Sequence, residues 1–184
     1  MKRRPRKRSA PPSETRAETV EIRSIAAGGE GVGRLSDGRA VFVHRTAPSE
    51  VVEVAVTAER PRWARGRLLR VVRPSPARRD APCPHYADCG GCTLEHLEYQ
   101  AQLRAKARIV ADALARIGGI ELPHPPEVVA SPHEFRYRNR VSFALRRRRD
   151  GSVVAGFHAL NDPGRITDVD GRCLLPEQPI SAAW

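Results

Sequence analysis

The sequence predicts a mainly β, α+β chain with one long helix: a small closed barrel, then a mixed region built around a metal centre. Three observations carry this. Five short Val- and Ile-rich runs fall between residues 17 and 74, three of the four cysteines sit within CPHYADCGGC (83–92), and one helical apolar period divides the first β region from a second. The expected division is a disordered basic tail over 1–16, an OB-like barrel over 17–74 and a metal-binding central domain over 75–184.

In the first region TVEIR (19–23), GVGRL (31–35), RAVFV (39–43), EVVEVAV (50–56) and GRLLRVV (66–72) read as strands. Asp37-Gly38 and Ala47-Pro48 punctuate them. Val52, Val54 and Val56 alternate with Glu53 and Ala55, as in a strand with one buried face. Five strands in so short a span predict a closed barrel of the OB type, a frequent nucleic-acid platform. The glycines of GGEGVG (28–33) do not make a dinucleotide fingerprint. The third glycine of G-x-G-x-x-G would fall on Arg34, and strands follow where a helix is needed, so they read as a tight turn.

RPSPARRDAP (73–82) leads irregularly into the cysteines. Beyond them Thr93 is placed to cap a helix, with Glu95 and Glu98 in its first turn. Leu103, Ala107, Val110, Leu114 and Ile117 form its apolar stripe, Arg104 and Arg108 lie off it in solvent, and Gly118-Gly119 stops it. EVVAS (127–131), RVSFALR (140–146), SVVAGFH (152–158) and RITDVD (165–170) read as strands, with Asp150-Gly151 as a hairpin turn.

The net charge of +11 on 184 residues attracts polyanions, nucleic acid first. The opening MKRRPRKRSAPPSETRAE has the basic start of a signal peptide without its apolar region, and no run approaches the ~20 apolar residues that cross a bilayer. A reduced cytoplasmic setting, a monomer and no membrane partner are therefore expected, and there clustered cysteines bind metal more often than they pair.

The cysteine spacing is C-x5-C-x2-C, with eighty residues before Cys173. Four thiolates suit a tetrahedral zinc or an iron–sulfur cluster, and ligand type does not decide between them. The spacing leans toward the cluster, because structural zinc sites are usually built from two short paired knuckles. His85 is a lesser zinc candidate. Arg136, Arg138 and Arg140 alternate along an expected strand, so they would share one RNA-facing side with Phe135 and Tyr137 opposite. The run Arg146 to Arg149 reads as general electrostatic attraction.

CPHYADCGGC, the helix LEHLEYQAQLRAKARIVADALARIGG, FRYRNRVSFALR (135–146) and GFHALNDPGRITDVDGRCLL (156–175) together resemble the RNA uracil-5 methyltransferases of 23S ribosomal RNA. GGEGVGRLSDGRAVFVHRTAPSEVVEV (28–54) resembles their TRAM domain, an OB-like RNA-binding barrel, with Pro48-Ser49-Glu50 where Pro-Gly-Glu is usual. The resemblance implies a 4Fe–4S cluster held by Cys83, Cys89, Cys92 and, from the DGRCLL segment, Cys173. It implies RNA, and 23S rRNA in particular, as partner. It also implies methyl transfer from S-adenosylmethionine in a C-terminal Rossmann-like domain, for which no glycine-rich strand–turn–helix is present here. All four cysteines are taken by the cluster, so no catalytic residue carries over. The chain is expected to be the RNA-recognition and cluster-binding portion of such an enzyme, inactive in methylation by itself.

Overall fold

The computed structural model describes residues 16–184; the basic tail expected over 1–16 lies almost wholly outside the described residues. Five strands follow: β1 (Ala17–Ile25), β2 (Gly31–Arg34), β3 (Ala40–Val43), β4 (Val51–Glu59) and β5 (Trp63–Arg73). They close into a barrel in the order β1-β2-β3-β5-β4. All pairs are antiparallel except β3 with β5, whose parallel pairing joins the meander into a ring. All five expected strands are therefore present.

The alternation in the sequence is the alternation in space. Val20, Ile22, Val41, Val43, Val52 and Val54 point inward and pack as one buried cluster. Gly66 on β5 lets Val41, Val43 and Val54 close over it, and a Cβ there would stand 3.3–3.4 Å from all three. In β2, a Cβ on Gly33 would press to 2.7 Å from the Glu21 carbonyl of β1, so the strand crossing needs glycine. The glycine stretch is the tight turn expected, with Gly29 N–H donating to the Ala26 carbonyl (2.8 Å). Ser49 takes φ +68° in the turn where the resemblance sets glycine. Such a conformation costs an ordinary residue about 1–2 kcal/mol.

Helix α1 spans Tyr99–Gly118, later than expected. Thr93 does not cap it; Glu98 is its N-cap residue and makes no side-chain capping bond. The cause is competition for the backbone. His96 C=O accepts from Arg79 N–H and Glu98 N–H donates to Ala77 C=O (both 2.9 Å), so 94–98 pairs with the lead-in to the cysteines. At the other end Gly119 takes the left-handed conformation and stops the helix. The apolar stripe is mostly uncovered: Ala107 is buried, but Val110 and Ile117 are exposed. Arg104 and Arg108 are exposed, as expected.

The second sheet is β6 (Ala144–Arg147), β7 (Val153–Ala159) and β8 (Asp162–Asp168), in that order. The Asp150-Gly151 turn is present: Gly151 has φ +89°, and the Asp150 carboxylate accepts from Ser152 N–H (2.9 Å). Two expectations fail here. EVVAS (127–131) is not a strand, and of RVSFALR only the stretch from Ala144 is. Arg136, Arg138 and Arg140 thus do not alternate along a strand face. Arg136 has φ +55°, which breaks the alternation, and Arg136 and Arg138 spend their N–H groups on the Leu174 and Leu175 carbonyls. A six-residue helix, α2 (Gln178–Ala183), follows. Among the described residues no helix is long and apolar enough to cross a membrane.

Candidate metal centre

The four cysteines, free of disulfides, face one small cavity. Cys83, Cys89 and Cys92 come from the loop before α1. Cys173 comes from the turn after β8, where its N–H donates to the Asp170 carbonyl (3.1 Å). Phe157, Val169 and Leu175 supply apolar wall, and Cys89 and Cys173 are members of the second core itself. No group of three or more His, Cys, Asp or Glu among the described residues is gathered closely enough to hold a single metal ion.

The cysteine loop is clamped to the β7–β8 hairpin by ordinary protein contacts. Gly90 N–H donates to His158 C=O and Leu160 N–H to Asp88 C=O (2.9 Å each). Gly90 and Gly91 are required by proximity: a Cβ would lie 2.7 Å from the His158 carbonyl and 2.8 Å from the Phe157 ring, respectively. The Asp88 carboxylate accepts from Thr167 Oγ1 (2.7 Å) and pairs with the Arg165 guanidinium, whose bonds hold its pKa down at about 2. His85 pairs with Asp170 (Nε2 to Oδ1, 2.8 Å), tying the loop to the turn that carries Cys173.

Burial keeps thiols at the cavity neutral. Burial pushes the thiols of Cys89 and Cys173 up, and that of Cys92 to about 12, and the neighbouring cysteines reinforce each shift. Left without positive charge these sulfurs stay protonated; as ligands they need a cationic centre to become thiolates. Glu95, expected in a helix turn, is buried and accepts from Cys83 N–H (2.8 Å), fixing that backbone. Gly91 N–H points at Cys89 Sγ (3.4 Å).

The barrel reaches the centre through Arg45, at the end of β3. Its Nη2 donates to Cys89 C=O (2.7 Å), and its guanidinium lies 3.3 Å over the Tyr86 ring. Its Nε and Nη1 are buried without a hydrogen-bond partner. Behind it sits His96, also buried. A carbonyl can only accept, so Nε2 carries the proton toward Thr46 C=O (3.1 Å) and Nδ1 accepts from the Tyr86 hydroxyl (2.6 Å). None of these partners was legible from spacing, because each lies ten to fifty positions away.

Burial lowers the His96 pKa to about 4, with Arg78 and Arg45 adding repulsion. The neutral ring contributes its full stability above the ordinary histidine pKa of about 6.5, and that contribution is lost as pH falls through about 4. Two to three pKa units correspond to about 3 kcal/mol. Urea midpoints should therefore fall between pH 6.5 and 4.5, and His96→Gln should flatten that slope. Equal slopes in both proteins would mean the ring is not held neutral.

Of the three arginines expected to meet RNA, Arg138 and Arg140 are exposed, while Arg136 is half-buried with Nη1 on Ser181 Oγ (3.3 Å). Arg138, Tyr137 and Lys106 border a groove that opens beside Cys83 and Cys92.

The TRAM domain family matches residues 15–69, the barrel. An uncharacterised RNA methyltransferase of Aquifex aeolicus is 40% identical over 163 residues, 88% of this chain and 36% of the relative. The 23S rRNA (uracil(1939)-C(5))-methyltransferase RlmD of Legionella pneumophila is 35% identical over 158 residues, covering 84% of this chain and 34% of its own. Among solved structures, the Pyrococcus abyssi tRNA (uracil-54, C5)-methyltransferase in complex with S-adenosyl-L-homocysteine matches with a TM-score of 0.56 at 29% identity. That match covers 89% of this chain and 34% of the Pyrococcus chain. The barrel thus matches the TRAM domain and most of the chain is similar to RNA methyltransferases, while it spans about a third of the length of the curated relatives it matches.

Proposed function

We propose that this chain is the RNA-recognition and 4Fe–4S-binding part of an S-adenosylmethionine-dependent methyltransferase that forms 5-methyluridine in 23S rRNA. Cys83, Cys89, Cys92 and Cys173 hold the cluster; the cofactor and the chemistry belong to a catalytic domain outside this sequence, and the chain alone does not methylate. The single observation that supports the centre is that four free cysteines, from segments eighty residues apart, face one cavity. What supports the group is the donor chemistry: soft sulfur donors, apolar walls and an amide aimed at one sulfur. A bound cluster supplies positive iron to thiols that burial otherwise keeps protonated. The chain's own part is to bring Cys173 beside the loop through Asp88, His85 and the β7–β8 hairpin, and to present Arg138 to RNA from the groove beside Cys83 and Cys92.

Metal analysis tests this. Protein purified without oxygen should carry about four irons and four acid-labile sulfides. One zinc without sulfide would replace the reading with a stand-alone RNA-binding protein built on a structural zinc site.

A further inference from the structure

The barrel carries a surface that the cysteine centre does not use. Inward positions of β3 are filled by Val41 and Val43, so Phe42 between them faces out, half-buried. Across the parallel pair Phe42 registers with Arg65, and Ala40 with Trp63. The Trp63 ring stands edge-on to Phe42, centroids 6.2 Å apart at 82°, and keeps 36% of its surface in solvent. Two guanidiniums flank the indole: Arg60 at 5.9 Å and Arg65 at 5.8 Å from its centroid. Two carboxylates lie near this side: Glu30, buried 3.3 Å from Arg65 Nε and 3.5 Å from His44 Nε2, and the exposed Glu59, which registers with Ala64 and is paired to Arg39 (2.6 Å).

Trp63 keeps a partly open ring beside two cationic side chains, and those surroundings say what it can meet. A protein partner's apolar side chains would not call for two arginines against the ring. A nucleic-acid base stacks on an aromatic face, and the phosphates on either side of it meet the guanidiniums. In duplex RNA the bases are already stacked on one another, so only a single strand can offer one.

We propose that Phe42, Trp63, Arg60 and Arg65 form a base-stacking platform for single-stranded RNA on the β3–β5 face of the barrel. The proposal rests on the RNA-binding reading above and adds the site and the form of RNA it takes. Trp63 supplies the stacking face, Phe42 supports its edge, and Arg60 and Arg65 hold the backbone. Because stacking does not depend on base identity, the platform adds affinity with little sequence preference, leaving choice of target to other surfaces.

The test is fluorescence anisotropy of the full chain with a labelled oligouridine of about ten nucleotides and with an RNA hairpin duplex. Loss of one stacked base corresponds to roughly tenfold in affinity. Trp63→Leu should weaken single-strand binding about tenfold with duplex binding unchanged, and Trp63→Phe should keep most of it. In a Trp184→Phe background, the remaining emission comes from Trp63 and should be quenched as oligouridine is added, a readout that needs no change in the platform. Unquenched emission, or equal affinities for wild type and Trp63→Leu, overturns the platform while RNA binding itself stands. Equal losses for single strand and duplex also overturn it, because the contact is then to backbone. A wild-type chain that binds neither RNA removes this proposal and the RNA reading together.

Discussion

Replacing Glu50 with Ala should cost this protein about 3–5 kcal/mol, the range expected when one partner of a buried ion pair is removed. Its side chain is fully buried and its carboxylate is saturated: it accepts from Ala47 N–H (2.8 Å), from Ser75 N–H (3.3 Å) and from Arg78 through Nε and Nη2 (the latter 2.9 Å). Burial alone would raise the carboxyl pKa, but these bonds outweigh it and hold the group below its ordinary value. Alanine strands the Arg78 charge and leaves two amides without acceptors. The pair does more than close a barrel turn. Arg78 also donates to Arg45 C=O (2.7 Å), so it joins the barrel to the segment entering the cysteine loop. Glu50→Gln keeps an acceptor but loses the charge, and should fall between wild type and Ala. The double variant Glu50→Ala, Arg78→Met should recover part of the loss, because the stranded charge goes with its partner. Urea unfolding reads all three. A loss for Glu50→Ala within about 1 kcal/mol, the range of exposed pairs, would show that the pair is not buried in solution.

How much of this was legible in the sequence differs between the two halves, for a physical reason. The barrel is written locally: Val20 and Ile22, Val41 and Val43, Val52 and Val54 repeat at the strand period, and Gly29 and Gly38 mark turns at positive φ. A period of two survives any tertiary context that buries one face. The region after Cys92 is held by long-range partners that leave no local pattern. Thr93 to Glu98 has good helix-start chemistry, yet its backbone bonds go to Ala77 and Arg79. Arg136 to Arg140 alternates well enough for a strand, yet the chain after Cys173 takes its hydrogen bonds and turns Arg136 into the left-handed region. The cysteines were visible by spacing, and the resemblance implied that Cys173 joins the others. What arranges them, Asp88 on Arg165 and Thr167, Glu95 on Cys83, Arg45 on Tyr86 and Cys89, was not. Nor was Trp63, which lies three residues before the expected strand 66–72 and opens β5 in the structure.

If the four cysteines hold the proposed cluster, Cys173→Ser should abolish full iron loading and, with it, much of the stability of the second half. The core around this residue is small: besides Cys89, Cys92 and Cys173 it holds Val169, Leu175, Phe143 and Phe157. With a core this small, a cluster bound as proposed would add much of the cohesion beyond the protein contacts that clamp the loop to the hairpin, since structural metal binding contributes on the order of 10 kcal/mol to a fold that needs it. Serine also places a hydroxyl where a thiol was buried, which costs about 1–3 kcal/mol with or without metal. The two effects separate by experiment. Melting wild type and variant with metal removed gives the hydroxyl cost alone. Melting both after anaerobic reconstitution adds the ligand's part, and only wild type should gain a large upward shift. The barrel, with its own core of Val20, Ile22, Val41, Val43, Val52 and Val54, should keep protected amides in both. A variant that takes up four irons and gains the same shift would remove Cys173 from the ligand set. The turn at Asp170 would then close on the loop through His85 alone.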